Sequence, residues 1–379
     1  MADTQKLWRI LVAATAAVVL HLASLHAQAA DEGIVIGRTL ALSGPLRPYG
    51  EAKRDGADAL IASVNAAGGI NGRRIEVVTL DDAYTPASTV ANLRKLAAER
   101  RPTAFLGLLG VPTVAAALPV LQELQIPAVG LQSGADAVRK PFNRYAFPVR
   151  ASYVDEARKL VSHLKSIGIT RTSVIFMDNP FGESLRSALL LAMNGSGIEA
   201  HLFPLDVAGA SALAVADQAT AVAPQALFII TTAQVAVPVF AALKKSGYRG
   251  ATYGFSTLDA SVIAKLMGAD AVGLGLTQVF PIPRGVRLKI VEEYVRATQA
   301  LGRGTPGFQG LEGYIEAKVL VEGLRRAGKN PSPASLVRAL ESLDDLDLGG
   351  YRVSYSTKSH NGSSFVDVNV ITAAGDITR

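Results

Sequence analysis

The chain has 379 residues, 49% hydrophobic, 18% charged and 6% aromatic, with a formal net charge of +6 and no cysteine. The missing cysteine excludes a disulfide framework, a thiolate metal site, an iron–sulfur cluster and a thiol nucleophile, and the apolar content excludes a disordered chain. The length exceeds one ordinary domain, so two are expected; the positive charge is dispersed, with no basic run interleaved with aromatics that would suit nucleic acid.

Lys6 and Arg9 precede the uncharged run Ile10–Leu20, and the segment ends in Ala27-Gln28-Ala29. A positive head, an apolar stretch and an A-x-A site predict a signal peptide over residues 1–29, cleaved near Ala29, and hence a periplasmic protein. The run falls short of the roughly 20 apolar residues a membrane span needs. Removing residues 1–29 takes away Asp3, Lys6 and Arg9 and lowers the net charge from +6 to +5. Only His163, His201 and His360 then remain, too scattered for a metal site.

The segments that follow alternate in period. Strand patterns at Ile34–Leu42, Arg74–Leu80, Thr103–Leu109 and Pro127–Leu131 are separated by helical spacing at Gly50–Ala67, Ser88–Arg100 and Thr113–Leu124. The rhythm restarts with helices at Tyr153–Ile167, Phe181–Asn194, Ser211–Val222, Val235–Ser246 and Ser261–Leu266. Between them lie strands at Ser173–Met177, Ala200–Leu205, Ala226–Thr232, Thr252–Phe255 and Gly273–Gln278. Such alternation predicts two α/β lobes, each a parallel-rich sheet flanked by helices. After Pro281-Ile-Pro283 come helices at Val286–Leu301, Glu312–Ala327 and Pro333–Leu343, then strands at Tyr351–Ser356 and Phe365–Ile371. This segment is long enough to return to both lobes. Breaks at Pro148, Pro281, Pro283 and Gly349-Gly350 predict three interlobe crossings. Lobe 1 is expected over 30–150 plus 281–350, and lobe 2 over 151–280 plus 351–379.

Ligands of open parallel sheets bind beyond the carboxyl ends of the strands. Here those ends carry small polar residues: Ser43-Gly44, Gly110–Thr113, Gln132–Asp136, Asp178–Gly182, Thr231-Thr232 and Ser256-Thr257. At Gly110–Thr113 a glycine turn leads into a helix whose free amides and dipole favour an anion; Thr113 there equally suits an N-cap. Tyr49, Tyr153 and Phe181 are placed to sandwich an apolar group. Enzyme motifs are incomplete. Gly254-Phe-Ser256-Thr-Leu258 lacks the closing glycine of a nucleophile elbow, Gly273-Leu-Gly275 lacks the third glycine of a dinucleotide fingerprint, and Asp81-Asp82 reads as loop and cap chemistry. No catalysis and no cofactor are expected.

Leu42-Ser-Gly-Pro45, Tyr49-Gly-Glu51, Asn65-Ala-Ala-Gly-Gly-Ile-Asn-Gly72, Leu80-Asp-Asp-Ala83 and Leu311-Glu-Gly-Tyr314 resemble, in order and spacing, the periplasmic leucine/isoleucine/valine-binding proteins of ABC transporters. The resemblance runs from Ile34 to about Val370. It implies a two-lobed type I periplasmic binding fold that closes on a small ligand by hinge motion, and delivery to an inner-membrane permease. The expected state is a monomer. Gly110–Thr113 matches the family's carboxylate-gripping loop, with Val111 in the place of the usual serine and either Thr113 or the loop's amides as its substitute. Ser133 and Gly134 lie on the neighbouring ligand loop, and Tyr49 and Phe181 match aromatic cleft positions. Thr232 stands where leucine-binding members carry an aromatic residue. Ser256 stands where they place the glutamate that pairs with the ligand's ammonium. An amino acid would then need another acid, such as Asp178 or Glu51; an aromatic or aliphatic carboxylate would not. A ligand-sensing receptor component and a secreted serine hydrolase built on Ser256 are the alternatives.

Overall fold

The computed structural model describes residues 33–285, 287–373 and 377–378; the expected signal peptide lies outside them. The first half alternates β1 (Ile34–Leu40), α1 (Arg47–Ala66), β2 (Ile75–Asp81), α2 (Pro86–Arg100), β3 (Ala104–Leu109), α3 (Val111–Leu124), β4 (Ala128–Gln132) and the short β5 (Ala146–Phe147). These strands form one parallel sheet in the order β2-β1-β3-β4-β5. β3 and β4 are buried along their whole length, which is why they read as unbroken apolar runs: helices cover both faces.

The second half runs α4 (Tyr153–Ser166), β6 (Arg171–Met177), α5 (Pro180–Met193), β7 (Glu199–Leu205), α6 (Ala212–Ala221), β8 (Ala226–Ile230), α7 (Ala233–Lys245), β9 (Ala251–Gly254), α8 (Ala260–Met267) and β10 (Gly275–Gln278). A capping box starts α4: the Ser152 hydroxyl accepts from the Asp155 amide, and the Asp155 carboxylate accepts from the Ser152 amide.

Three helices follow: α9 (Lys289–Leu301), α10 (Phe308–Arg326) and α11 (Pro333–Glu341). They return to the first lobe, where α10 is buried almost all round. It crosses α1 at glycine: a β-carbon on Gly56 would strike the Gly310 backbone, and one on Gly313 the Lys53 backbone. That close approach seats the Lys53 ammonium 2.7 Å from Glu316.

The hairpin β11 (Leu346–Asp347) and β12 (Arg352–Val353) precedes β13 (Asp367–Ile371) and β14 (Ile377–Thr378). The last two complete a second sheet in the order β14-β13-β10-β9-β8-β6-β7, in which β13 and β14 alone run antiparallel to their neighbours. The strand expected over Tyr351–Ser356 shrinks to Arg352–Val353, because only the β11 edge is there to pair with it. Tyr351, Val353 and Tyr355 pack in the core of the first lobe, so the change of lobe set at Gly350 from the sequence falls further along, before β13.

Three crossings connect the lobes, and the tyrosines of the last hold the others. The Tyr355 hydroxyl donates to the Pro148 carbonyl at 3.1 Å, and the Tyr351 hydroxyl lies 3.2 Å from the Val279 carbonyl. One apolar seam runs from Phe105 and Leu131 through Tyr153 to Val174 and Phe228, so the lobes share a core on that side of the cleft.

Candidate functional site

β1 lies between β2 and β3, and β6 between β7 and β8. Each is a point where successive connections leave in opposite directions and open a crevice at the carboxyl ends. The cavity found there is partly open to solvent, its empty space totalling about 510 Å³ with the solvent at its mouth included. The first lobe supplies Leu46 and Tyr49 from the start of α1, Tyr84 after β2, Leu109, Gly110 and Val111 at the β3–α3 junction, Gln132 and Gln309. The second supplies Tyr153, Phe181, Thr232, Ser256 and Thr257, and Arg150 enters from the first crossing.

Seven residues singled out in the sequence therefore line one cavity: Tyr49, Gly110, Val111, Tyr153, Phe181, Thr232 and Ser256. Thr113, Ser133 and Gly134 do not. Thr113 turns its hydroxyl back to the Leu109 and Gly110 carbonyls, and Ser133 is fully buried with its hydroxyl accepting from the Ala135 amide at 3.2 Å. Gly134 lies under the Tyr153 ring, which any β-carbon would displace. The acids named as substitutes are elsewhere: Glu51 pairs with Arg47 at 3.0 Å, and Asp178 is exposed.

Arg150 is the wall residue that sequence reading missed most completely. Its guanidinium donates to the Ser256 hydroxyl at 2.5 Å and lies 3.6 Å from Glu156 and 3.7 Å from Glu312. Burial opposes its charge, but Glu312 and Glu156 outweigh burial and raise its pKa. Glu156 is fully buried behind Ser256. Its carboxylate accepts from the Ser256 amide at 2.9 Å, the Ser256 hydroxyl at 3.0 Å and the Thr277 hydroxyl at 2.5 Å. Those bonds turn it away from the cavity, and Arg150 is the one formally charged side chain among the residues that line it. No local signal announces this arrangement, since Arg150 and Ser256 are 106 residues apart. Tyr84 was missed too. It sits at φ 62°, with its amide held by Asp82 at 2.9 Å, and its ring occupies the space a β-carbon at Gly110 would need.

Several polar atoms lining the cavity have no hydrogen-bond partner: Arg150 Nε, Gln132 Oε1 and Thr257 Oγ1. Leaving buried polar groups unpaired is costly, so these atoms are available to polar atoms of a ligand. Burial pushes the Tyr49 and Tyr84 hydroxyls well above the ordinary phenol range and Tyr153 up to about 12, so all three face the cavity neutral. Ser256 has a guanidinium and a carboxylate as partners. His163 instead meets Tyr253, His201 meets Glu199 and His360 meets the Ala146 carbonyl, so none of the three histidines is a partner of Ser256. The Asp81-Asp82 pair serves its loop. Asp81 accepts from the Leu42 and Ala83 amides, and Asp82 from the Thr39 and Thr89 hydroxyls. Among the described residues no group of acids and histidines could hold a metal ion, and no helix is long and apolar enough to cross a membrane.

A profile of the periplasmic binding protein family matches residues 33–375. The chain is 21% identical over 348 residues to the Leu/Ile/Val-binding protein homolog 3 of Brucella melitensis, covering 90% of this chain and 92% of that one. Among solved structures, an extracellular ligand-binding receptor from Verminephrobacter eiseniae superposes with a TM-score of 0.86 at 27% identity, over 92% of this chain and all of that one. A substrate-binding periplasmic protein from Ralstonia solanacearum superposes with a TM-score of 0.84 at 30% identity, over 91% of this chain and 99% of that one.

Proposed function

The chain belongs to the periplasmic binding protein family, and from that premise we propose that it captures a small carboxylate lacking an ammonium group and passes it to the inner-membrane permease of an ABC importer. The protein acts as a monomer, exported by a signal peptide cleaved near Ala29. It performs no catalysis; closing of the lobes about the crossings is the working step.

One observation carries the ligand class: the cavity wall holds a guanidinium and no carboxylate. Arg150 and the amides at the start of α3 suit the ligand's carboxylate. Leu46, Tyr49, Tyr84, Tyr153 and Phe181 suit an aliphatic or aromatic body. A free branched-chain amino acid, the ligand class in the name of the Brucella relative, would bring an ammonium with no acid to receive it. An unpaired, desolvated charge of that kind costs on the order of 2–5 kcal/mol.

The test is a thermal-shift screen of amino acids, 2-keto acids, aliphatic and aromatic carboxylates and sugars, since a ligand of the folded state alone raises the midpoint. Carboxylates without an ammonium should raise it. Shifts confined to amino acids or to sugars would overturn the assignment.

A further inference from the structure

Behind the cavity wall, five ionisable side chains form one buried cluster. Lys53 on α1 lies 2.7 Å from Glu316 and 3.9 Å from Glu312, both on α10. Arg150 lies 3.7 Å from Glu312 and 3.6 Å from Glu156 on α4. None of these side chains is more than 4% exposed. Three carboxyls thus face two cations. Glu312 Oε1 and Glu316 Oε2 have no hydrogen-bond partner. The Glu316 side chain is pressed against Gly107 of β3 and Gly130 of β4, and a β-carbon at Gly130 would collide with its carboxyl.

The other groups facing the cluster do not supply the missing positive charge. Tyr351 and Tyr355 are neutral phenols raised by burial, as is Tyr153. Asp259, near Glu312, is a further acid. Arg139, a further cation beside Arg150, donates to the Ser133, Ala135 and Arg150 carbonyls and forms an ion pair with none of the three carboxyls. An uncompensated buried charge is strongly unfavourable, so the arrangement calls for a proton on one carboxyl. Burial pushes Glu316 up to about 8, with Lys53 opposing and Glu312 reinforcing the rise.

We propose that Glu316 is a buried proton-binding site coupled to the ligand site through Lys53, Glu312 and Arg150, so that the protein captures its anionic ligand together with a proton. This rests on the reading of the cleft as a carboxylate site. A ligand anion at Arg150 competes with Glu312 for the guanidinium and makes the cluster more negative, which favours protonated Glu316. By linkage, protonated Glu316 favours the ligand. The sign follows: affinity is greatest while Glu316 holds its proton and declines as pH rises through about 8, by at most about tenfold per pH unit.

Calorimetric titration of the full protein with 4-methylpentanoate and with 3-phenylpropanoate, at about pH 8.5 in two buffers of different ionisation enthalpy, reads the coupling. Proton uptake on binding is expected in the natural protein, together with a several-fold loss of affinity between neutral and alkaline pH. Glu316→Gln should show no uptake and a flat profile. Binding without uptake would overturn the coupling. An infrared titration of the ligand-free protein, beside Glu316→Gln, reads the proton site independently of any ligand; the variant is needed because burial raises Glu156 and Asp259 as well. A protonated-carboxyl band missing from the variant should disappear near pH 8 in the natural protein, and the same band in both proteins, or none at neutral pH, would overturn the site. If neither carboxylate binds, the carboxylate reading of the cleft falls and the coupling with it, while the infrared band still decides the proton site.

Discussion

The cavity offers an anion two kinds of polarity, and they differ in what each needs behind it. At Gly110 and Val111 the start of α3 presents amides and a helix dipole, worth roughly half a charge and needing no counter-ion. At Arg150 a full charge is buried, and it is held there by Glu156, Glu312 and, through Glu312, Lys53. The first source is made within a few residues of one turn. The second needs a crossing and three helices to arrive together. On the proposed function both sources would face the ligand's carboxylate, one built locally and the other dependent on distant parts of the chain.

Substitutions can separate the two sources. Arg150→Met should have the largest effect, a loss of carboxylate affinity on the order of 2–5 kcal/mol, with a lower thermal midpoint because Glu156 and Glu312 lose their partner. Arg150→Lys should recover the midpoint more than the affinity, since it restores the charge without the planar fork. Calorimetry with scanning of the same samples would show this; unchanged affinity in both variants would leave the dipoles as the sole anion site. Gly110→Ala comes next. Its φ of 92° and the Tyr84 ring both oppose a β-carbon, so a cost on the order of 1–3 kcal/mol is expected in stability or affinity, and wild-type behaviour would mean that the turn is more forgiving than its geometry.

Tyr84→Ala should weaken an aromatic ligand by roughly 1–2 kcal/mol through lost apolar contact and barely affect acetate; an equal loss for both would give the tyrosine a polar role. Smallest of all, Thr113→Val and Ser133→Ala should lower the midpoint by about 1 kcal/mol of stability and leave affinity nearly unchanged. A tenfold loss of binding in either would return that hydroxyl to the ligand.

The same division explains what could be read from the amino-acid order. The alternation of periods located nearly every strand and helix, because β3 and α3 each announce their burial over a few consecutive residues. The glycine turn at Gly110 and the aromatic positions Tyr49 and Phe181 were legible for the same reason. Thr113 and Ser133 were read as ligand-facing because small hydroxylic residues at a strand end serve equally as caps, and the direction of a hydroxyl is not encoded in spacing. Arg150 was invisible. Its value comes from Ser256, 106 residues away, and from Glu312 on a helix that returns from the far end of the chain. The segment from Tyr351 to Tyr355 is assigned to the second lobe by the sequence, because alternation predicts a strand but not the lobe it packs in.

The central claim, that the cavity takes a carboxylate and has no place for an ammonium, is tested most directly by a matched pair. Leucine and 4-methylpentanoate share their apolar body and carboxylate and differ only in the amino group. Titrated calorimetrically into the ligand-free protein near pH 7, 4-methylpentanoate should bind more tightly than leucine by at least tenfold. Tight binding of leucine with none of 4-methylpentanoate would contradict the account and require a carboxylate to reach the cavity that Glu156, in its present bonds, does not supply.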